Sequence, residues 1–581
     1  MGIYFCLLLI SLADSIINMN IIRGLPPFVD SNTDCSIDLE IFGMSGRLHR
    51  PSGEFASMQI GIGDDVYVIT SVKQAQEAWD RIKNARHIII QNALFDIFHL
   101  RRWITIEERP VWDLMIVEQV LWGGYYGVGE FSLADMARRY LNVRMDKSTR
   151  MDFASSSFYM TNEMLKYAAD DASIALQIYH KQVEEIEKRK YDMRVYWEAD
   201  EPSIWTILDM KPIKVRVKRW LEMADEFEER GRQIEDEIGV NVNSLKQVVA
   251  YINKVSRRSI ANAQEATLLA IADKVPQVAP ILEAKRYRKA ASTYGRRWIE
   301  ENVEDGDLVY SSFHVNGTET GRFSSASPNL LNIPARKIPE YRELFIQSRG
   351  RIVVADIGQQ EPRCLAYLSG DKNLIKAFVD KEDIHLYVAR NVFGDDTIKK
   401  GDPRREVGKM INLATSYGMT AKGLADRLMI DEAEAEKFLV AYFHRFPDVD
   451  NFIKRQRIFA SSHEFVTTVM GRRVWINQHN FQWTNNAINA PIQGSSADFT
   501  KVWVNDFRKR CISGGLEFPV TMVVYDEVVM DVDKENEMRY IELLTDSFND
   551  TASLLFPTVP FQIDVAKGKS WACKSTMEEE D

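Results

Sequence analysis

Carboxylates set directly against apolar strands mark two places in this chain where metal-assisted phosphate chemistry is expected. The first set is Asp38-Leu39-Glu40, then Asp96, then Asp171 with Tyr167 four residues before it. The second is Asp356, ending the run Arg351-Ile352-Val353-Val354-Ala355-Asp356, and the pair Asp526-Glu527, flanked by Val520–Tyr525 and Val528–Val532. An acid against a buried strand is costly unless a positive charge compensates it. Divalent metal is the usual compensator, and phosphate chemistry its usual use. Two such sets in one chain suggest two reactions on one nucleic acid.

In the first set, Asp38 and Glu40 are two apart on a strand, so both leave the same face. Asp96 falls at a strand-to-helix transition, in Gln91-Asn92-Ala93-Leu94-Phe95-Asp96. Tyr167 and Asp171 lie one helical turn apart on one face. Four carboxylates suit two Mg2+ ions clamping the attacking and leaving oxygens of a phosphodiester, with Tyr167 orienting the water. A D-x-E alone fits an exposed strand edge equally well; the ordered set D-x-E, N-x-x-x-D, Y-x-x-x-D is far more specific. In the second set, Asp356 and Asp526 could each bridge two Mg2+ ions, one serving a primer 3′-hydroxyl and one a triphosphate. The turn of the hairpin is expected at Asp526-Glu527. Between the acids, Arg405, Lys409, Leu413 and Tyr417 recur every four residues and form one helical stripe. Two cations followed by a ring suit phosphate neutralisation and base stacking. An amphipathic helix with solvent-facing basic residues has the same pattern.

The elements that must carry these residues are legible in outline. Ser36–Phe42, Ser57–Ile62, Val66–Ile69 and His87–Ile90 read as strands and Glu163–Lys190 as one helix, an α/β pattern. Residues 191 to about 305 are charged, helical and almost strand-free, and a mixed region follows. At 581 residues the chain should hold three or four domains. A net charge of -11 argues against nucleic-acid binding only if taken alone, because acidic metal sites contribute to it and clefts can be locally basic. Two basic clusters, Lys211–Arg219 and Lys285–Arg297, are either duplex-gripping surfaces or solvated helix faces. The five cysteines show no zinc or disulfide spacing, which fits a reducing compartment. The apolar stretch Met1–Ala13 lacks a basic leader and is too short to span a bilayer, so Met19 is a candidate true start.

Residues 31–190 resemble the DEDDy 3′-5′ exonuclease family, the proofreading domain of family A DNA polymerases, with every acidic position of that motif present. Residues 195–575 resemble the family A polymerases themselves. Asp356-Ile357-Gly358-Gln359-Gln360-Glu361-Pro362-Arg363 resembles motif A, Arg405–Gly418 motif B and Tyr525-Asp526-Glu527 motif C. Thr320-Gly321-Arg322-Phe323-Ser324-Ser325, Pro328–Pro334 and Asn489–Asp498 match three further segments. The resemblance implies an α/β and α+β multidomain chain: an RNase H-like 3′-5′ exonuclease domain followed by a right-hand polymerase of palm, fingers and thumb. The implied boundaries are an N-terminal extension 1–30, exonuclease 31–190, thumb 191–305, palm 306–368, fingers 369–485 and palm again 486–581.

It further implies roles. Asp356, Asp526 and the Ile357 carbonyl would hold metal, with Glu527 secondary. Gln359, His385, Arg405 and Lys409 would contact the triphosphate, and Lys409 would donate a proton to pyrophosphate. Leu413 and Tyr417 would flank the incoming nucleotide, and Glu361 would gate against a ribose 2′-hydroxyl. Arg322, Arg336, Asn489 and Gln493 would touch DNA. Two Mg2+ are implied at each site, with Mn2+ as an alternative. Expected partners are primer-template DNA, dNTPs and replisome proteins such as a helicase and a single-strand binding protein. A cytoplasmic monomer without a membrane segment, replicating a phage genome and lacking a 5′ nuclease domain, is the resulting expectation. Three departures stand out: Gly358 for Ser, Tyr525 for His, and Leu413 for Phe or Tyr. The rivals are a single-subunit RNA polymerase, disfavoured by Glu361 and the exonuclease, and a silent DNA-binding scaffold, disfavoured by intact Asp356 and Asp526.

Overall fold

Period-two alternation builds the first sheet. In β2 (Asp34–Phe42), Cys35, Ile37, Leu39 and Ile41 are buried while Asp38 and Glu40 stay half-buried. The computed structural model describes residues 19–43, 52–146, 148, 152–153, 159–256, 259–335 and 338–574. Residues 1–18, Arg336 and the acidic tail lie outside the described residues. The chain divides into two units, one of residues up to Leu121 with Tyr126–Trp197, the other of Trp122–Tyr125 with Glu198–Asp581.

In the first unit, β1 (Asn20–Arg23), β2, β3 (Glu54–Ile62), β4 (Asp65–Ile69), β5 (His87–Ile90) and β6 (Val111–Asp113) form one sheet in the order β1-β4-β3-β2-β5-β6. The sheet thus begins before residue 31. The β2–β3 and β3–β4 pairs are antiparallel and the rest parallel. The helix α1 (Ala93–Leu100) follows β5, and α2 (Asn162–Arg189) lies across the sheet. Buried Ala168, Ala169, Ala172 and Ala175 keep the sheet-facing stripe of α2 small. At the closest point Ser36 Oγ donates to the Ala172 carbonyl at 2.6 Å, and a Cβ on Gly61 would lie 2.4 Å from that hydroxyl. Tyr167 and Asp171 are therefore carried on a helix seated against β2. Thr161 caps α2 by accepting the Met164 N–H.

In the second unit, the Val/Ile-rich run ending at Asp356 is β7 (Arg351–Ile357), buried through Ile352–Ala355. It sits between β9 (Glu527–Val532) and β10 (Ile563–Gly568), with β8 (Val520–Val524) outside β9, and every pair is antiparallel. The register places Asp356 opposite both Glu527 and Asp564. The helix α3 (Gln360–Ser369) follows β7, and α4 (Ile384–Phe393) and α5 (Pro403–Ser416) cross closely enough that a Cβ on Gly408 would lie 2.2 Å from the His385 carbonyl oxygen. Asp402 caps α5, with Pro403 at its first position. The long α6 (Trp483–Ser513) is buried over most of its length. Helices over Val217–Ile238 and Val278–Thr293 share an apolar core that includes Ile234 and Ile281. The basic clusters on this arm are laced with acids: Arg219 meets Glu226 at 2.7 Å and Arg296 meets Asp225 at 3.2 Å. Cys35, Cys364, Cys511 and Cys573 are buried thiols.

A buried charge network joins distant stretches of this unit. Asp200 accepts from Arg472 Nη1 and Nη2 at 2.9 and 2.8 Å, from Lys501 at 2.6 Å and from Asn316 at 3.1 Å. Arg472 also donates to Asp498, and the Gly321 backbone lies against its guanidinium, where a Cβ would sit 2.7 Å away. Two acids and two bases leave the cluster neutral.

Candidate active sites

In the first unit, ligand oxygens of Asp38, Glu40 and Asp171 all lie within 4.8 Å of one another. A register shift between Glu40 and Ile41 interrupts the β2–β3 ladder beside them, the kind of bulge that re-aims a side chain. Asp96, on α1, is fully buried. Burial, then Asp38, Asp113 and Glu40, push its carboxyl well above the usual range. Asp96 thus shares one electrostatic neighbourhood with Asp38 and Glu40, an acid-rich arrangement that fits a site for divalent metal. Tyr167 stands on the same helix as Asp171, against Phe153.

Asp113 escaped the sequence reading. It ends β6, and its carboxylate accepts backbone N–H groups from Ala93 at 2.7 Å, Met115 at 2.9 Å, and Asn92 and Ile116 at 3.2 Å. It therefore fixes the left-handed Asn92 (φ 60) and the start of α1, which carries Asp96. Burial pushes Asp113 up to about 6 in spite of those bonds. Its one sequence signal was an acid closing an apolar strand.

In the second unit, β7 brings Asp356 beside the β8–β9 turn. That turn is Tyr525-Asp526 rather than Asp526-Glu527: Tyr525 takes φ 61, and Glu527 already belongs to β9. The Ile357 N–H donates to the Asp526 carbonyl at 3.1 Å, tying the end of one strand to the turn of the other two. Burial first, then Asp356, push Asp526 up to about 7. Asp356 is ion-paired with Lys574, a residue that sequence reasoning did not single out. Glu527 opens β9 directly opposite Asp356. It accepts from Trp571 Nε1 at 2.6 Å and from Arg342 at 3.2 Å, which makes it a structural anchor.

Gln359 caps α3 in a left-handed conformation (φ 56), and Glu361 two residues on is ion-paired with Arg322. Tyr417 follows the last residue of α5 as its cap, and its hydroxyl receives a long 3.5 Å bond from Gln493 on α6. Asn489, also on α6, has a buried side-chain oxygen without a hydrogen-bond partner. Arg322, Phe323, Glu361, Tyr525 and Asp526 line one cavity of about 380 Å3. Arg405 and Lys409 lie on α5 with Leu413 one turn further. Arg405 is held by Asp383 at 2.8 Å. His385 is pushed down to about 4, by burial first and then by the nearby cations Arg405 and Lys409.

A family model described as DNA polymerase family A matches residues 216–573, more than half of the chain. The chain belongs to DNA polymerase family A. A second model, described as 3′-5′ exonuclease, matches residues 29–187, so this polymerase carries an exonuclease domain ahead of its polymerase domain. DNA polymerase I of Bacillus caldotenax is 28% identical over 498 residues, covering 81% of this chain and 56% of the relative. DNA polymerase I of Helicobacter pylori is 33% identical over 368 residues, covering 60% and 40%. The family A chain thus spans about half the length of these curated relatives. Among solved structures, the polymerase domain of Pol1 from M. smegmatis, in complex with a DNA primer-template and dNTP, matches with a TM-score of 0.80 at 22% identity over 95% of this chain and 99% of that one. That likeness establishes the shared fold. No helix among the described residues is long and apolar enough to cross a membrane.

Proposed function

We propose that this family A polymerase extends the 3′ end of a primer on a DNA template with dNTPs, and removes mispaired ends at its second acidic site. The observation that carries the reading is the meeting of Asp356 and Asp526 at one end of a single sheet, clamped through the Ile357 amide. Asp356, Asp526 and the Ile357 carbonyl would hold two divalent ions, Mg2+ or alternatively Mn2+. Asp38, Glu40, Asp96 and Asp171 would hold a second pair. Bound there, the ions supply Lewis-acid polarisation of phosphoryl oxygens and neutralise developing charge.

The chain's own residues do the rest. Arg405, Lys409 and Gln359 bind the triphosphate, with Asp383 orienting the Arg405 guanidinium. His385, uncharged at neutral pH, offers a hydrogen bond rather than a charge. Lys409 gives a proton to the departing pyrophosphate. Tyr417 and Leu413 form the wall against the new base pair, and Glu361 closes the space a 2′-hydroxyl needs. Arg322 and Gln493 read minor-groove acceptors, which are alike for all base pairs and so test geometry rather than sequence, and Asn489 is a further DNA contact. At the exonuclease site Tyr167 orients the attacking water. Thumb, palm and fingers are assigned to 191–305, to 306–368 with 486–581, and to 369–485. A single copy acting in a cytoplasm alongside a helicase and a single-strand binding protein, in the replication of a phage genome, completes the proposal.

Primer extension with matched and mismatched 3′ ends tests it. Asp356→Ala should abolish extension and spare trimming; Asp38→Ala should do the reverse. Loss of both activities in either variant, with the fold intact, would contradict two separate sites.

A further inference from the structure

The turn that carries Asp526 also carries a residue the reading above leaves without a task. Tyr525 is 50% exposed and adopts φ 61. Its ring lies beside Arg322, whose Cζ is 5.7 Å from the ring centroid. Arg322 in turn makes a close ion pair with Glu361. Tyr525, Arg322, Glu361 and Asp526 line one cavity. The guanidinium is thus held from two sides, by a ring face and by a carboxylate, and it has no other side-chain anchor in the described contacts. A guanidinium within about 6 Å of an aromatic ring is attracted to its face. An arginine so seated limits the rotamers open to the carboxylate it binds.

We propose that Tyr525 is a sugar-specificity residue of the polymerase site: its ring seats Arg322, and Arg322 fixes Glu361 where the nucleotide 2′ position must fit. Tyr525 touches no reacting atom in this scheme; it is a positioning residue. The inference rests on the proposed role of Glu361 as the sugar gate.

The ratio of kcat/KM for dNTP over rNTP, in single-nucleotide insertion on a primer-template by the full chain, reads it out. Tyr525→Ala should lower the ratio about three- to tenfold, the factor a partly exposed cation–π contact supplies. Tyr525→Phe, which keeps the ring and loses only the hydroxyl, should hold the ratio within about twofold of the parent. In a Glu361→Ala background, Tyr525→Ala should have no further effect on the ratio, because the two act in series. An unchanged ratio in Tyr525→Ala, an equal loss in Tyr525→Phe, or additive losses in the double variant would each overturn the proposal. If Glu361→Ala itself leaves the ratio unchanged, the gate reading falls first and takes this inference with it. A fall in insertion rate shared equally by dNTP and rNTP would assign Tyr525 a structural role only, and would also overturn it.

Discussion

Asp200→Asn probes the buried network beneath the Thr320–Arg322 loop. Asp200 is fully buried and accepts four hydrogen bonds, two from Arg472 and one each from Lys501 and Asn316. Burial alone would raise its carboxyl, but Arg472 and Lys501 outweigh it and hold Asp200 down at about 2. Asparagine keeps one acceptor oxygen and turns an NH2 toward donors, so the bonds on one side are lost. The charge balance shifts from zero to one uncompensated cation in a dry site. Breaking a buried pair by removing one partner costs about 3–5 kcal/mol. One escape limits that figure: burial already brings Lys501 down to about 8, and without Asp200 it falls further and sheds its proton near neutrality. A native state with neutral Lys501 binds fewer protons than the unfolded chain, so the variant's stability rises with pH through that window. The parent, with Lys501 still charged below about 8, gains nothing there. The expected loss is therefore about 3 kcal/mol at pH 6, shrinking toward pH 8. Urea unfolding of both proteins, followed by far-UV circular dichroism at pH 6, 7 and 8, measures it. A loss below about 1 kcal/mol, or one that does not change with pH, would refute the reasoning.

Asp113→Ala strands four backbone amides at the start of the helix that carries Asp96; trimming of a 3′-labelled single strand should fall about tenfold or more, with primer extension kept within about twofold. With Leu413 where the family places an aromatic ring, chain termination by dideoxynucleotides should be weak; termination as efficient as extension with normal nucleotides refutes that. His385 should titrate near 4 in the native protein by imidazole NMR. Because its native value lies below the unfolded one, the associated stability is present above about 6.5 and lost as pH falls toward 4, by at most about 2 kcal/mol after solvent screening.

The acids of the two candidate sites were legible because their signal is local. A carboxylate closing a Val/Ile run conflicts with its surroundings, and such conflicts concentrate at functional sites. Asp356 announces itself that way; Asp38 and Glu40 share a face through period two, and Tyr167 and Asp171 through one helical turn. The strands Asp34–Phe42 and His87–Ile90 and the helix Asn162–Arg189 followed from the same periodicities to within two residues at each end. What stayed hidden is whatever needs a partner from far along the chain. Glu527 is secondary to Asp526 by resemblance alone, and only the fold supplies its partners Arg342 and Trp571. Lys574 reaches Asp356 from 218 residues away. Asp200, Arg472 and Lys501 carry no signal in sequence, and Asp498 shows only as the end of a matching segment, because a charge's burial is decided by tertiary packing that no local pattern encodes. The same holds for the contact of Tyr525 with Arg322. A substitution of Tyr for the expected His reads as a lost interaction until the fold supplies the guanidinium that the ring faces.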